Sequence, residues 1–390
     1  MIQPHSPPRP AATTSALSCS VLGLALAAIL VAATPAGSTG GGASARAAAP
    51  SRALPDLITP ETVRAIDKGL RYLVQTQRSD GSWSNSGGYG GYNYPAVMTS
   101  LAGLALLSGG STPETGPHAR NVRKAMLYIL RIAESGEDGL ISGPGGESRS
   151  MYGHGFSMLF LAQCYGVETN REFSERIRKV LDKAVALTAK SQSDLGPAEK
   201  HAGGWIYTPT QNADEGSVTV TQLQGLRACR NVGIKVPKST IERAVLYLKS
   251  CQMPDGGICY SARSRGQSRP AISAAAVACF YAAGVYDRAT GGGGEEAEMV
   301  EKLVAYCRKN VDVERNDGHQ YYTQFYMAQG MYQRGGDDWK AYFPKIRNYL
   351  VRVQDPDGSW MGDSVGTTYG TAMATVILQL PYGYLPICQR

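Results

Sequence analysis

Residues 63–83 read VRAIDKGLRYLVQTQRSDGSW, and residues 353–360 return to the same ending as VQDPDGSW. In the first stretch Ile66, Leu70, Leu73 and Val74 fall at helical spacing, so one face of a helix is apolar. Ser79-Asp80-Gly81-Ser82 then breaks it with turn chemistry: Gly permits positive φ, and Asp bonds to nearby backbone N–H groups. Trp83 follows, placed to cover the helix end. After a Tyr/Gly-rich connector, residues 96–107 read AVMTSLAGLALL, a second helical segment rich in small apolar residues.

Outward from this stretch the order helix, turn, small-residue helix returns six times. The units span about 63–107, 119–166, 175–233, 240–284, 299–335 and 342–380. Their turns are SDGSW, EDGLISG, a swollen AEKHAGGWIYTPTQNADEG, CQMPDGGICY, ERNDGHQYY and VQDPDGSWMG. Each closing segment carries an early hydroxyl: Thr99, Ser157, Thr221, Ser273, Thr323 and Thr371. Caps or back-bonds to helix carbonyls are their simplest role. The opening segments carry Lys68, Lys124, Lys179, Arg243, Lys302 and Arg347, which suits a water-facing layer. A helical hairpin cannot bury its apolar face alone, so such units must stack. Six of them can close into an all-α (α/α)6 toroid, small-residue helices inside, with a central cavity.

The long repetitive part, residues 51–390, reads as one domain. Thr290 to Gly294 looks like a flexible surface insertion. Residues 1–50 differ in kind: a Pro-rich start, an apolar run from Ala16 to Ala33, then a Pro/Gly/Ala-rich tail containing Ala43-Ser44-Ala45. That order matches a secretory signal peptide and linker, so export is expected; the alternative is an uncleaved anchor, which would associate the protein with a membrane through this segment. The formal net charge of +7 comes without any long basic run, so nucleic-acid binding is not expected. Of eight cysteines, seven follow the apolar run. Cys164, Cys229, Cys279 and Cys307 read as buried small hydrophobes. Cys251 and Cys259 flank one turn, and spacing alone leaves their pairing open.

QTQRSDGSW and VQDPDGSW resemble the QxxDGxW repeat of squalene and oxidosqualene cyclases, which also recurs in protein prenyltransferase β subunits. The resemblance covers nearly everything from residue 60 to 390 and implies the (α/α)6 toroid of that superfamily. SRPAISAAAVA and the ending YGTAMATVILQLPYGYLPICQR also resemble a subgroup of exported bacterial proteins with such repeats. The chemistry-bearing motifs of the family do not accompany the fold. The sequence holds no DxDD acid, no VxDCT and no Asp-x-Cys zinc pair.

Several residues are candidates for a site. Asp214 and Glu215 stand before the third closing segment, where two adjacent acids can share a proton and one can act as a general acid. Helix capping is the plainer role. His154, His201 and His319 come from different connectors without i, i+4 spacing, so neither a metal nor any other cofactor is expected. Tyr152, Tyr207, Tyr321 and Tyr369 belong to a series of connector tyrosines able to meet a cation, a sugar or a peptide. Arg263 and Arg269 can hold a phosphate or carboxylate. His154 and His319 join these as ligand-binding candidates. The expected partner is an amphipathic small molecule, such as an isoprenoid, bound or processed in the cavity. The alternatives are a non-catalytic toroid binding a protein or envelope component, and a carbohydrate-active toroid.

Overall fold

One-sided apolar spacing makes the opening segments amphipathic, whereas the closing segments bury nearly all round, the first, fourth and sixth with small apolar residues and the third and fifth with Gln, Thr and, in the fifth, Tyr among them. The computed structural model describes residues 54–85, 93–136, 138–194, 202–286, 288–316 and 318–389. The N-terminal segment, Tyr89, Tyr92 and His201 lie outside them. Among the described residues there are twelve α-helices and only isolated β-bridges, no strand. The outer helices are α1 (Pro60–Thr76), α3 (Ala119–Ser135), α5 (Arg171–Lys190), α7 (Lys238–Ser250), α9 (Gly294–Asn310) and α11 (Gly336–Arg352). The inner helices are α2 (Pro95–Ser108), α4 (Ser150–Tyr165), α6 (Gly216–Asn231), α8 (Pro270–Ala283), α10 (Gln320–Arg334) and α12 (Thr367–Gln379). All fourteen residues of α2 are buried, whereas α1 buries one stripe, chiefly Ala65, Ile66, Gly69, Leu70 and Leu73.

Each inner helix packs on the inner helices before and after it, and α12 packs on α2, so the ring closes. Glycines let the inner axes approach: a Cβ on Gly103 would lie 2.4 Å from the Phe160 ring, and one on Gly155 would meet Thr221 at 2.7 Å. Although α8 is apolar enough to qualify as a membrane span by composition, it is buried among α6, α9 and α10 as a core helix.

The turn motif is the joint between units. Gln77 Nε2 donates to Gly81 O and to Asn121 O of the next outer helix, both at 3.0 Å. Gln192 does the same toward Gly203 and Thr240, and Gln252 toward Gly256 and Met299. Gln354 donates to Gly358 O and to Ala65 O of α1, each at 2.9 Å, so the same bond closes the sixth unit on the first. Gly81 (φ 95°) and Gly358 (φ 92°) need the left-handed region, and a Cβ on Gly358 would lie 2.6 Å from Lys68 O across that joint. The tryptophans cover the outer helix ends as their position predicts: the indole N–H of Trp83, Trp205 and Trp360 donates to Leu73 O, Thr188 O and Leu350 O, each at 2.8 Å.

The recurring hydroxyl serves this joint too. Thr99, Thr219, Ser273 and Thr371 each accept from the backbone N–H just after a turn, on Trp83, Trp205, Ile258 and Trp360. Ser157 and Thr221 are out of register with this role; Ser157 meets Ser100 of α2 at 3.0 Å, and Thr221 back-bonds to Ser217 O.

Because every inner helix follows an outer one, all six inner N-termini share a rim. Successive connectors are stitched there, Met151 N to Tyr207 O at 3.0 Å and Gly216 N to Tyr260 O at 2.9 Å. The opposite end differs from the expected hollow. After α12 the chain forms two short 3-10 turns, Leu380–Tyr382 and Pro386–Cys388, and crosses to α6 and α10. Gln333 donates to Ile387 O, and the Cys388 thiol lies 3.8 Å from Gln329 Oε1, which itself accepts from Gln224 at 3.0 Å. The tail therefore occupies the axis from the C-terminal side. An open groove of about 860 Å³ lies off the axis instead, between the turn at Met253–Gly256 and α9 residues Lys302 to Asn310.

Candidate functional site

What remains on the axis is a recess at the N-terminal rim, walled by tyrosines. Tyr152 in α4 and Tyr322 in α10 keep part of their surface accessible, yet burial dominates the environment of both and pushes their phenols well up. Accessible surface on desolvated rings means that they face a narrow recess and not bulk water. Tyr326 and Tyr369 pack deeper; Tyr322 and Tyr326 meet edge to face at 4.8 Å. The Tyr322 hydroxyl is buried and has no hydrogen-bond partner. At the mouth Tyr207 lies 6.2 Å from Tyr152, shares a 2.5 Å hydroxyl contact with Tyr260, and carries the exposed Arg149 guanidinium 4.4 Å above its ring.

Glu215 joins this cluster. It is the N-cap of α6, accepting from Val218 N at 2.8 Å. Ser217 Oγ lies within 2.7 and 2.8 Å of its two oxygens and 2.6 Å from Tyr152 OH. Burial raises the Glu215 carboxyl above its ordinary range, while Ser217, the Val218 N–H and Arg149 pull it down. A buried acid of raised pKa is a weaker donor than the strong acid that alkene protonation requires. It suits hydrogen bonding or general acid work toward an oxygen atom.

Asp214 turns the other way. Its Oδ2 accepts from Tyr247 OH of α7 at 2.6 Å, Ser261 Oγ at 2.8 Å and Ala262 N at 3.0 Å. The half-exposed Arg263 lies 3.9 Å from its Oδ1. The two adjacent acids therefore do not form the proton-sharing pair expected of them; each is held by its own partners, because neighbouring residues entering a helix point to different layers.

His154 lies inside α4, not in a connector. Its Nδ1 accepts from Ile141 N at 3.2 Å, and its Nε2 meets Thr188 Oγ1 of α5 at 2.9 Å. This is the place that a hydroxyl takes in four other units. Accepting at Nδ1 fixes the neutral tautomer with its proton on Nε2, and burial pushes the imidazole down to about 4. Its ring nitrogens are committed to the joint and not to a ligand. His319 is exposed at the N-terminus of α10. Arg269 is exposed and precedes α8. Tyr321 is buried, its N–H 3.4 Å from Asp363 Oδ1, and burial, followed by Tyr349 of the outer layer, pushes its phenol up. Of the anticipated residues, the structure gathers Tyr152, Tyr207, Glu215 and Tyr369 at the recess and leaves Asp214, His154, Arg263, Arg269 and Tyr321 outside it. Among the described residues no three His, Cys, Asp or Glu side chains converge to hold a metal.

Two acids escaped the sequence reading. Glu147 is buried, its Oε1 accepting from Ala96 N of α2 at 3.2 Å, and burial lifts its carboxyl to about 7. Asp363 reaches back to the N-terminus of α10 and is lifted to about 6 by the same cause. With Glu215 on α6, every second inner helix carries a desolvated acid at its N-terminus. The positions of Glu147 and Asp363, three residues before α4 and four before α12, were the available signal, but burial, not spacing, singles them out.

No known family profile matches the chain, and no curated protein matches it in sequence. Solved structures match in fold. The type II terpene cyclase MstE from Scytonema, in its apo form, superposes with a TM-score of 0.53 at 15% identity over 84% of this chain and 98% of that one. The GH76A α-1,6-mannanase from Salegentibacter superposes with a TM-score of 0.60 at 9% identity, over 83% and 99%. A protein from Actinoplanes gives a TM-score of 0.50 at 16% identity, over 83% and 99%. At these identities the likeness is one of architecture, and it makes this chain an α/α toroid of the form shared by the type II terpene cyclase and the mannanase.

Proposed function

We propose that this chain is an exported toroid that holds an amphipathic small molecule, of isoprenoid-alcohol or similar character, in the tyrosine recess at the inner N-terminal rim. The observation that carries this is the Tyr322 hydroxyl, buried without a partner and within electrostatic reach of the partly accessible Tyr152. An unmade hydrogen bond of this kind costs about 1–3 kcal/mol, which a ligand oxygen recovers on binding. The rings of Tyr152, Tyr322, Tyr326 and Tyr369 supply apolar walls, and Tyr322 and Glu215 supply polar contacts at their edge. MstE is described with geranylgeranyl dihydroxybenzoate as substrate, a molecule of this amphipathic class. The weak acid at Glu215 and the missing DxDD speak against alkene protonation here. The mannanase is inactivated at two consecutive aspartates. Asp214 and Glu215 repeat that adjacency, but with Asp214 bound to Tyr247, Ser261 and Ala262 we do not extend hydrolysis to this chain.

Native mass spectrometry of the full chain purified from its own cells tests the reading. A retained small molecule is expected, and Tyr322→Phe should lower the ratio of loaded to empty protein about tenfold, equivalent to roughly 1.4 kcal/mol. An empty wild-type protein that also fails to bind long-chain isoprenoid alcohols would refute it.

A further inference from the structure

The fourth turn carries chemistry that the recess does not use. Gln252 and Ile258 form an antiparallel bridge, which sets Cys251 and Cys259 directly opposite one another. Cys259 N donates to Cys251 O at 3.0 Å, confirming the register. Both cysteines are fully buried, and each thiol is the leading influence on the other's ionisation. The Cys259 thiol donates to Ser261 O at 3.3 Å. We propose that Cys251 and Cys259 are a disulfide-forming pair that clamps the fourth turn.

Two further features suit this role. Arg265 spans the turn, donating to Ser250 O at 2.8 Å and Gln252 O at 2.9 Å. Its positive charge, second to the Cys251 thiol itself, helps pull the Cys259 thiol below its ordinary range. A thiolate is the form that attacks a disulfide. The clamp also has something to hold. Cys251 ends α7, four residues after Tyr247, and Cys259 begins the segment that offers Ser261 and Ala262 to Asp214. Joining them locks both sides of the Asp214 cradle to one covalent ring.

The reaction consumes a small-molecule disulfide such as oxidised glutathione. The Cys259 thiolate attacks one glutathione sulfur and expels a glutathione thiolate. The deprotonated Cys251 sulfur then attacks Cys259 in that mixed disulfide and expels the second. Two protein thiols are oxidised, one glutathione disulfide is reduced, and the two thiol protons end on the two glutathiones. Since both sulfurs are buried, the exchange belongs to folding or to transient opening of the turn.

The test uses the full chain, reduced and then equilibrated in an oxidised/reduced glutathione buffer, denatured in acid and alkylated. Peptide mapping should show Cys251 and Cys259 leaving the alkylated pool together, in a linked peptide two hydrogens lighter than its reduced parts. Reduction should lower Tm by about 4 °C, the effect expected for so short a loop in a domain of this size. The double variant Cys251→Ala/Cys259→Ala should show no such reduction-dependent shift. Free alkylation of both cysteines in the oxidised sample, a bridge to any other cysteine, or an unchanged Tm on reduction of the wild-type chain would each overturn the proposal.

Discussion

Replacing Gln354 by Ala tests ring closure at its last joint. The Gln354 amide donates two hydrogen bonds, to Gly358 O within its own turn and to Ala65 O in α1, both at 2.9 Å. At about 1 kcal/mol net for each, the loss is about 2 kcal/mol. For a domain of this length that translates to a Tm lower by about 3 °C. Differential scanning calorimetry at pH 7 reads this directly, with Gln77→Ala as the internal comparison. Gln77 donates the matching pair of bonds to Gly81 and Asn121 at an interior joint, and also accepts from the Asn121 amide. Similar losses, slightly larger at Gln77, are expected from the two variants. A Gln354→Ala protein that melts within about 1 °C of wild type, while Gln77→Ala is destabilised, would refute closure of the ring through this bond.

Other consequences follow the same geometry. Gly358→Ala should cost about 3 kcal/mol in urea unfolding, from left-handed backbone plus a 2.6 Å approach to Lys68 O, whereas Gly145→Ala, with open space around it, should cost only about 1 kcal/mol. His154→Ala should lower stability by about 2–3 kcal/mol through the stranded Ile141 N–H and the space left, with no change in metal content by elemental analysis. Glu147 holds its proton more tightly folded than unfolded, so stability falls as pH rises from the unfolded carboxylate range near 4.5 through about 7, by up to about 3 kcal/mol. Glu147→Gln should flatten that decline, raising Tm relative to wild type at pH 8 and much less at pH 5.

The architecture was legible because it is written in repeated local chemistry. Turn residues, the closing helices and, in three units, the tryptophan after the turn each carry one physical requirement, and six helical hairpins make the stack unavoidable. The site was less legible. Tyr152 and Tyr369 reach the recess and Tyr321 does not, although Tyr321 and Tyr322 are adjacent in sequence. Which of two neighbours faces the axis depends on helix phase, and a helix start is uncertain by a residue or two. His154 looked like a ligand because an imidazole is conspicuous where a hydroxyl is not. Only the shared bond to the residue after the turn reveals it as the second unit's version of Thr99. Glu147 and Asp363 sit in unremarkable loops, and their interest comes wholly from desolvation by distant parts of the chain. The filling of the axis by Ile387 and Cys388 is likewise a long-range event that no local pattern announces.

The bond from Gln354 to Ala65 has a mechanical meaning. An open stack of helical hairpins frays from its two free faces and needs specialised caps to keep them in solution. A stack bent round until its first and last members share the ordinary joint has no free face to fray. Unravelling must begin by breaking a complete seam, and the remaining seams then lose the curvature that aligned them. Such a body is expected to melt in a single concerted step, with amide exchange across its inner helices reporting one common opening energy and not a gradient from the ends inward.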